Sequence, residues 1–177
     1  SPYQVHSSLN NEEYSDSSWI VWTKRIACDT VPGGLSFFQY AKSKGVSVFY
    51  ITNRLEEERP QTLKELQRWG FPDADNEHLI LKTAGSAKGP RRDIVSANYD
   101  IVMLFGDNLS DFSSVFDKKS LEERDSQTKG NAALFGSKFI VLPNLMYGDW
   151  ESALYQYQHN LPVREKEQTI INGLNKY

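Results

Sequence analysis

The chain has 177 residues, 39% of them hydrophobic and 12% aromatic, enough for one domain with a proper core and too few for two comfortable ones. A net charge of -3, a pI near 5.6 and basic residues scattered apart from Lys88, Arg91 and Arg92 argue against a nucleic-acid polymer as partner. Cys28 is the single cysteine, which excludes an intrachain disulfide, and the histidines at 6, 78 and 159 are too far apart in sequence for a local zinc motif.

Residues 1–31 mix polar and aromatic side chains, Tyr3, Tyr14, Trp19 and Trp22 among them, with weak periodicity. They read as an excursion rather than a strand, and they lack the apolar segment of a signal peptide. Val31-Pro32-Gly33-Gly34 is a turn into a helix that carries Leu35, Phe37, Phe38 and Tyr40 and closes at Lys44-Gly45. Residues 46–51, rich in β-branched and aromatic side chains, predict a buried strand. Pro60 opens a helix with Leu63, Leu66 and Trp69 along one face and Gly70 at its exit. A short strand at 78–81 precedes a helix that starts at Pro90 and carries Ile94 and Val95. The strongest strand follows at 101–105, then charged helix and loop over 109–134, then a last strand at 138–142. The tail, 149–177, reads as two helices divided by Leu161-Pro162. No apolar run approaches the roughly 18 to 20 residues that cross a bilayer as a helix.

Strands alternating with helices imply the doubly wound α/β class, a parallel sheet covered on both faces. Ligands of such sheets bind beyond the carboxyl ends of the strands. Those ends are polar here: Thr52-Asn53-Arg54, Gly106-Asp107-Asn108 and Pro143-Asn144, with Lys82 and Lys88 after the second strand. Asp107 and Asp111 stand four residues apart in the stretch 106–112. Acids cluster in many solvated turns, yet a hydroxyl, an amide, an ammonium and two carboxylates on one rim would suit phosphoryl transfer with a hard cation.

The motifs FYITNR (49–54), SAK (86–88), GDNLSDF (106–112) and LPNLMYGDW (142–150) occur in this order, with SPYQ at 1–4, Trp-x-x-Trp at 19–22 and VPGG at 31–34. By these motifs nearly the whole chain resembles the bacterial class C acid phosphatases, nonspecific phosphohydrolases of the haloacid dehalogenase (HAD) superfamily. The resemblance implies a single HAD-like domain over 1–177, with a Rossmann-type parallel sheet: a cap-like, substrate-lining excursion at 1–31, an α/β core at 32–148 and C-terminal helices at 149–177. It implies Mg²⁺-dependent hydrolysis of phosphate monoesters, 5'-nucleotides and aryl phosphates among them, through an aspartyl phosphate. Thr52 and a backbone N–H near Asn53 would bind phosphoryl oxygens, and Lys88 would offset repulsion between the nucleophile and the phosphate. Asp107 would coordinate Mg²⁺. Asp111, the other acid of the metal motif, would orient Lys88 or a metal-bound water. Trp19 and Tyr147 match positions that resemble a clamp around a nucleotide base, with Arg54 as a further substrate contact and Asn144, Gly148 and Trp150 shaping the same wall. The family also implies an extracytoplasmic bacterial location, a membrane link only through an upstream lipid anchor, and a homodimer among the assemblies open to it.

The residues themselves keep alternatives open. Thr52 and Asn53 would end a strand in any case, and Lys82 is the second candidate for the lysine. Pro90 biases its neighbour toward extended backbone, which sets Lys88 ahead of the helix rather than within its first turn. Trp19 and Trp22, three residues apart, suit one face of a helix packed on a core. Asn108-Leu109-Ser110 matches a glycosylation sequon but lies inside the acidic loop. The family's first motif, Asp-x-Asp-Glu-Thr, carries the nucleophile and the general acid, and it does not occur here. Its strand would lie between those at 46–51 and 101–105, where unsatisfied backbone groups cost about 1 to 3 kcal/mol apiece. The expectation is therefore of a longer protein that supplies this strand. A noncatalytic storage or binding protein, of the kind of the plant vegetative storage proteins, is the alternative from a different class.

Overall fold

The computed structural model describes residues 2–10, 12, 14–144 and 147–173. They fall into two compact units, Ser1–Ser86 and Ala87–Tyr177. The class is α/β with parallel strands, as the alternating pattern implies. Among the described residues no helix is long and apolar enough to cross a membrane.

In the first unit, α1 (Pro2–Asn10) and α2 (Asp16–Thr23) occupy the stretch read as an excursion rather than a strand. Ser15 begins α2, its hydroxyl accepting the Ser18 N–H at 3.2 Å. Helical periodicity is weak there because the aromatic rings meet each other instead of forming one stripe. Tyr3 stands edge-on to Trp19, centroids 5.1 Å apart at 88°, and Tyr14 tilts against the same ring at 6.3 Å. Trp22 is buried. The next helices, α3 (Gly34–Ser43) and α4 (Arg59–Trp69), stop where glycine allows a left-handed residue, at Gly45 (φ 83°) and Gly70 (φ 78°).

β1 (Tyr50–Leu55) pairs in parallel with β2 (Leu79–Lys82), Tyr50 opposite Leu79 and Ile51 opposite Ile80, before the register breaks and Leu55 faces Lys82. The strand expected at 46–51 thus begins only at Tyr50 and continues through Thr52, Asn53 and Arg54. Its first residues are diverted: the Val48 N–H donates to the Asp73 carboxylate at 2.9 Å rather than to a neighbouring strand. Leu79 and Leu81 are the buried side chains of the pair.

α4 also departs from its apolar pattern. Its buried residues are Thr62 and Glu65, while Trp69 of the Leu63, Leu66 and Trp69 row is exposed. The reason is an ion pair. Arg54 Nη1 lies 2.6 Å from Glu65 Oε2, with side-chain exposures of 13% and 8%, and it also donates to Thr62 Oγ1 at 3.1 Å. The other Glu65 oxygen accepts the Cys28 N–H at 3.1 Å. Removing one member of a buried pair strands the other charge, at a cost of about 3 kcal/mol or more. Glu65→Ala is therefore expected to lower unfolding stability by about 3 kcal/mol, read from urea midpoints at constant m; a loss below about 1 kcal/mol would place the pair among surface bridges.

The second unit runs through α5 (Gly89–Ser96), β3 (Leu104–Gly106), α6 (Leu121–Gly130), β4 (Phe139–Val141), α7 (Asp149–Leu154) and α8 (Val163–Gly173). β3 and β4 are parallel, Leu104 opposite Phe139 and Gly106 opposite Val141. The strand expected at 101–105 is shorter and later than its apolar run. Pairing starts where Leu104 N–H meets Lys138 O at 2.7 Å, and Val102 and Met103 lie exposed before it. Phe112, Phe116 and Phe139 form the core, with Leu104, Leu109, Leu134 and Phe135 packed on it. Phe112 stacks on Phe139 at 5.1 Å and 16°, so the acidic loop is anchored by its own terminal phenylalanine. The tail divides into α7 and α8 on either side of Leu161-Pro162, as expected.

Candidate active site

The carboxyl end of β3 gathers the site. Gly106 ends the strand, Asp107 and Asn108 turn away from it, and Leu109–Asp111 form one 3-10 turn. That turn brings Asp111 back toward the strand end. Asp111 Oδ2 accepts the backbone N–H groups of Asp107 and Asn108, both at 3.1 Å, and Oδ1 accepts Lys88 Nζ at 2.7 Å. The Lys88 and Asp111 side chains are 21% and 8% exposed. Both oxygens of this carboxylate are thus engaged, Oδ2 as a helix-start acid bonding back to the N-cap amide of Asn108.

Lys88 stands at the N-cap of α5 and Pro90 lies in its first turn, so the lysine is ahead of the helix as expected, although Gly89, the residue before the proline, is itself helical and not extended. Of the two lysine candidates, Lys88 is the one that meets the acidic loop; Lys82 is in β2 of the first unit.

Asp107 is built differently. Its Oδ1 accepts from Asn108 Nδ2 at 3.0 Å, and its Oδ2 accepts from Asn144 Nδ2 at 3.0 Å and Tyr147 OH at 3.2 Å. These donors are neutral, and among the described residues no lysine or arginine forms an ion pair with it. Asn144 arrives because Leu142 N–H continues the β3–β4 pairing to Gly106 O at 2.8 Å, which sets the exit of β4 beside that of β3. Asn144 also bonds the Tyr147 carbonyl at 2.9 Å. Leu145 and Met146 of the same motif lie outside the described residues. Asn144 thus bonds the Asp107 carboxylate directly; its sign in the sequence is its place at the end of the last strand, mirroring Asp107 at the end of β3.

Arg92, met in the sequence only as part of a basic cluster, is a residue the sequence does not assign to the site. It is buried, and its Nη1 donates to the carbonyl oxygens of Ser110 at 3.1 Å and Asp111 at 2.8 Å. Burial pulls its guanidinium down from the ordinary value, while Asp117, Asp111 and Asp93 act in the opposite sense. Asp117 is raised, by burial first and by the charge of Asp149 second.

The remaining candidates, Tyr147 apart, are in the first unit. Thr52 and Asn53 sit at the register break of β1, with Thr52 Oγ1 accepting the Arg54 N–H at 3.2 Å and Asn53 exposed. Irregularities of this kind re-aim side chains at sheet ends. The Arg54 guanidinium is taken up by Glu65 and Thr62 and lies 5.8 Å from the Trp19 ring centroid. Trp19, half-buried in its aromatic cluster, and Trp22, buried, share α2, which is also what the packing reading of the two tryptophans required. Tyr147, in the second unit, is exposed and engaged with Asp107.

A carboxylate without a cation beside an ammonium–carboxylate pair can hold a hard cation and a phosphate oxygen together. Comparison with known proteins bears on the phosphate half of that chemistry. The family described as HAD superfamily, subfamily IIIB (Acid phosphatase), matches residues 1–150. The structure of the class C acid phosphatase from Bacillus anthracis is similar at a TM-score of 0.93 and 40% identity, covering 99% of this chain and 74% of that one. The crystal structure of the Bacillus anthracis class C acid phosphatase with tungstate bound gives 0.94, with the same identity and coverage. Acid phosphatase 1 of Solanum lycopersicum is 30% identical over 118 residues, 62% of this chain and 46% of that protein. The chain thus spans about half the length of that curated relative.

Proposed function

Since this chain belongs to the acid phosphatases of HAD superfamily subfamily IIIB, we propose that it serves a magnesium-dependent phosphomonoesterase activity on aryl phosphates and 5'-nucleotides. The observation that carries this reading is the Lys88–Asp111 ion pair set beside the unpaired carboxylate of Asp107 at the end of β3. The donor set suits magnesium, which is usually held by one or two carboxylates together with waters and phosphate oxygens. Asp107 would hold it. Among the described residues no three carboxylate, histidine or cysteine side chains gather as a cage, so its other ligands would come from water, phosphate or protein residues beyond this sequence. Bound there, the ion would neutralise charge on the phosphoryl oxygens.

The chain's own residues supply the rest. Lys88 offers one positive charge, oriented by Asp111, to the approaching dianion. Asp111 itself is a positioning residue, because its oxygens are already occupied by Lys88 and two main-chain amides. Thr52 would donate its hydroxyl, with an N–H near Asn53, to phosphoryl oxygens. The nucleophilic aspartate and the general acid of the family would come from residues outside this sequence. The aromatic cluster around Trp19 and the ring of Tyr147 are surfaces on which a flat leaving group can stack.

The test is hydrolysis of an aryl phosphate and of a 5'-nucleotide by the full-length protein on the acid side of neutrality. Turnover is expected with Mg²⁺ and is expected to vanish with a chelator. No turnover of either ester, in a folded protein supplied with Mg²⁺, would overturn the enzyme reading in favour of a noncatalytic storage or binding protein.

A further inference from the structure

Arg92 is an unusual residue to bury. A guanidinium inside a protein normally meets a carboxylate, yet its direct partners here are two successive main-chain carbonyls, Ser110 O and Asp111 O, and the acids around it act through space. Those carbonyls belong to the 3-10 turn that returns Asp111 to the strand end. Lys88 lies one helical turn earlier, at the N-cap of α5, and the Arg92 N–H bonds the Lys88 carbonyl at 3.0 Å. The same helix therefore grips Asp111 at both ends, its carboxylate through Lys88 and its carbonyl through Arg92.

We propose that Arg92 is a positioning residue of the phosphatase site, fixing the 106–112 loop so that Asp111 holds Lys88 and the amides of Asp107 and Asn108 in place. This rests on the functional reading above. Neither contact of Arg92 is to a side chain, so what it sets is the path of the backbone. A lysine at this position carries the charge and a single donor centre, as Nη1 is for both carbonyls, but on a flexible stem without the rigid guanidinium plane that fixes where that centre lies. Charge alone is then not sufficient.

The experiment compares full-length wild type with Arg92→Gln and Arg92→Lys, reading kcat and KM for an aryl phosphate and hydrogen exchange of individual amides. Arg92→Gln is expected to lower kcat by about 10- to 100-fold with KM within about threefold, the size typical of outer-shell partners. The Asp107 and Asn108 amides are expected to exchange at least about tenfold faster while the Leu104 amide, on the β3–β4 ladder, keeps its protection. Arg92→Lys is expected to recover less than half of the lost rate. Unchanged kcat in Arg92→Gln, or full recovery in Arg92→Lys, overturns the proposal; so does a loss of rate with no change at the two amides. If Arg92→Gln does not fold, the same two readouts on Arg92→Lys decide. An inactive wild type overturns the functional reading instead, and the amide exchange then still reports whether Arg92 fixes the loop.

Discussion

Replacing Asp107 by asparagine is expected to lower magnesium-dependent turnover by about 1000-fold and to leave the thermal midpoint within a few degrees of wild type. Loss of an outer-shell partner of a metal costs about 10- to 100-fold, and Asp107 is assigned to the metal directly, so its loss should exceed that range. The fold has little reason to fail. The substituted amide would keep an oxygen for the Asn108 side chain, and Asp107 makes its other two side-chain bonds to Asn144 and Tyr147 at the edge of the site rather than in the core. Isothermal titration with Mg²⁺ separates the two parts of the prediction, since weakened binding should accompany the lost rate. Full activity in a folded Asp107→Asn protein would sink the metal assignment.

How much of this was legible in the sequence follows from what each feature depends on. Glycines after apolar helix faces placed the ends of α3 and α4, because a left-handed residue is a local requirement that Gly45 and Gly70 meet without steric cost. The parallel α/β class was equally legible, since it is written in the alternation of short apolar runs with helical ones. Strand limits were not. Residues 46–49 and 101–103 are as apolar as any strand, but pairing depends on partners distant in the chain, and Val48 finds Asp73 instead. The polar buried face of α4 was hidden for the same reason: nothing local to Glu65 shows that Arg54, eleven residues earlier, will be its partner. In the site, Lys88, Asp107 and Asp111 were readable as chemistry-bearing types at strand and helix ends, with the family motifs narrowing the choice. Arg92 was not, because its direct bonds go to main-chain oxygens, and a sequence does not show where carbonyls point.

Gly106→Ala tests the close approach on which the site depends. A Cβ built on Gly106 would lie 2.3 Å from Asp111 Cβ and 2.6 Å from its Oδ2, distances that atoms in real structures do not tolerate. Gly106 is not a case of special backbone freedom, because its φ is not in the left-handed region; the limit is space. Asp111 is the group that must move, and moving it releases the amides of Asp107 and Asn108 and the ammonium of Lys88 together. Overpacking of a buried position costs about 1 to 3 kcal/mol, and a displacement of about 1 Å near reacting groups costs about 100-fold in rate. Gly106→Ala is therefore expected to lose about 100-fold or more in kcat along with about 1 to 3 kcal/mol of stability. Gly130→Ala is the matched control, since a Cβ there meets nothing within 4 Å and should leave the rate unchanged and the stability no lower. Wild-type kcat in Gly106→Ala would mean that the held position of Asp111 is not needed for turnover, and the Lys88–Asp111 pair would then be structural only.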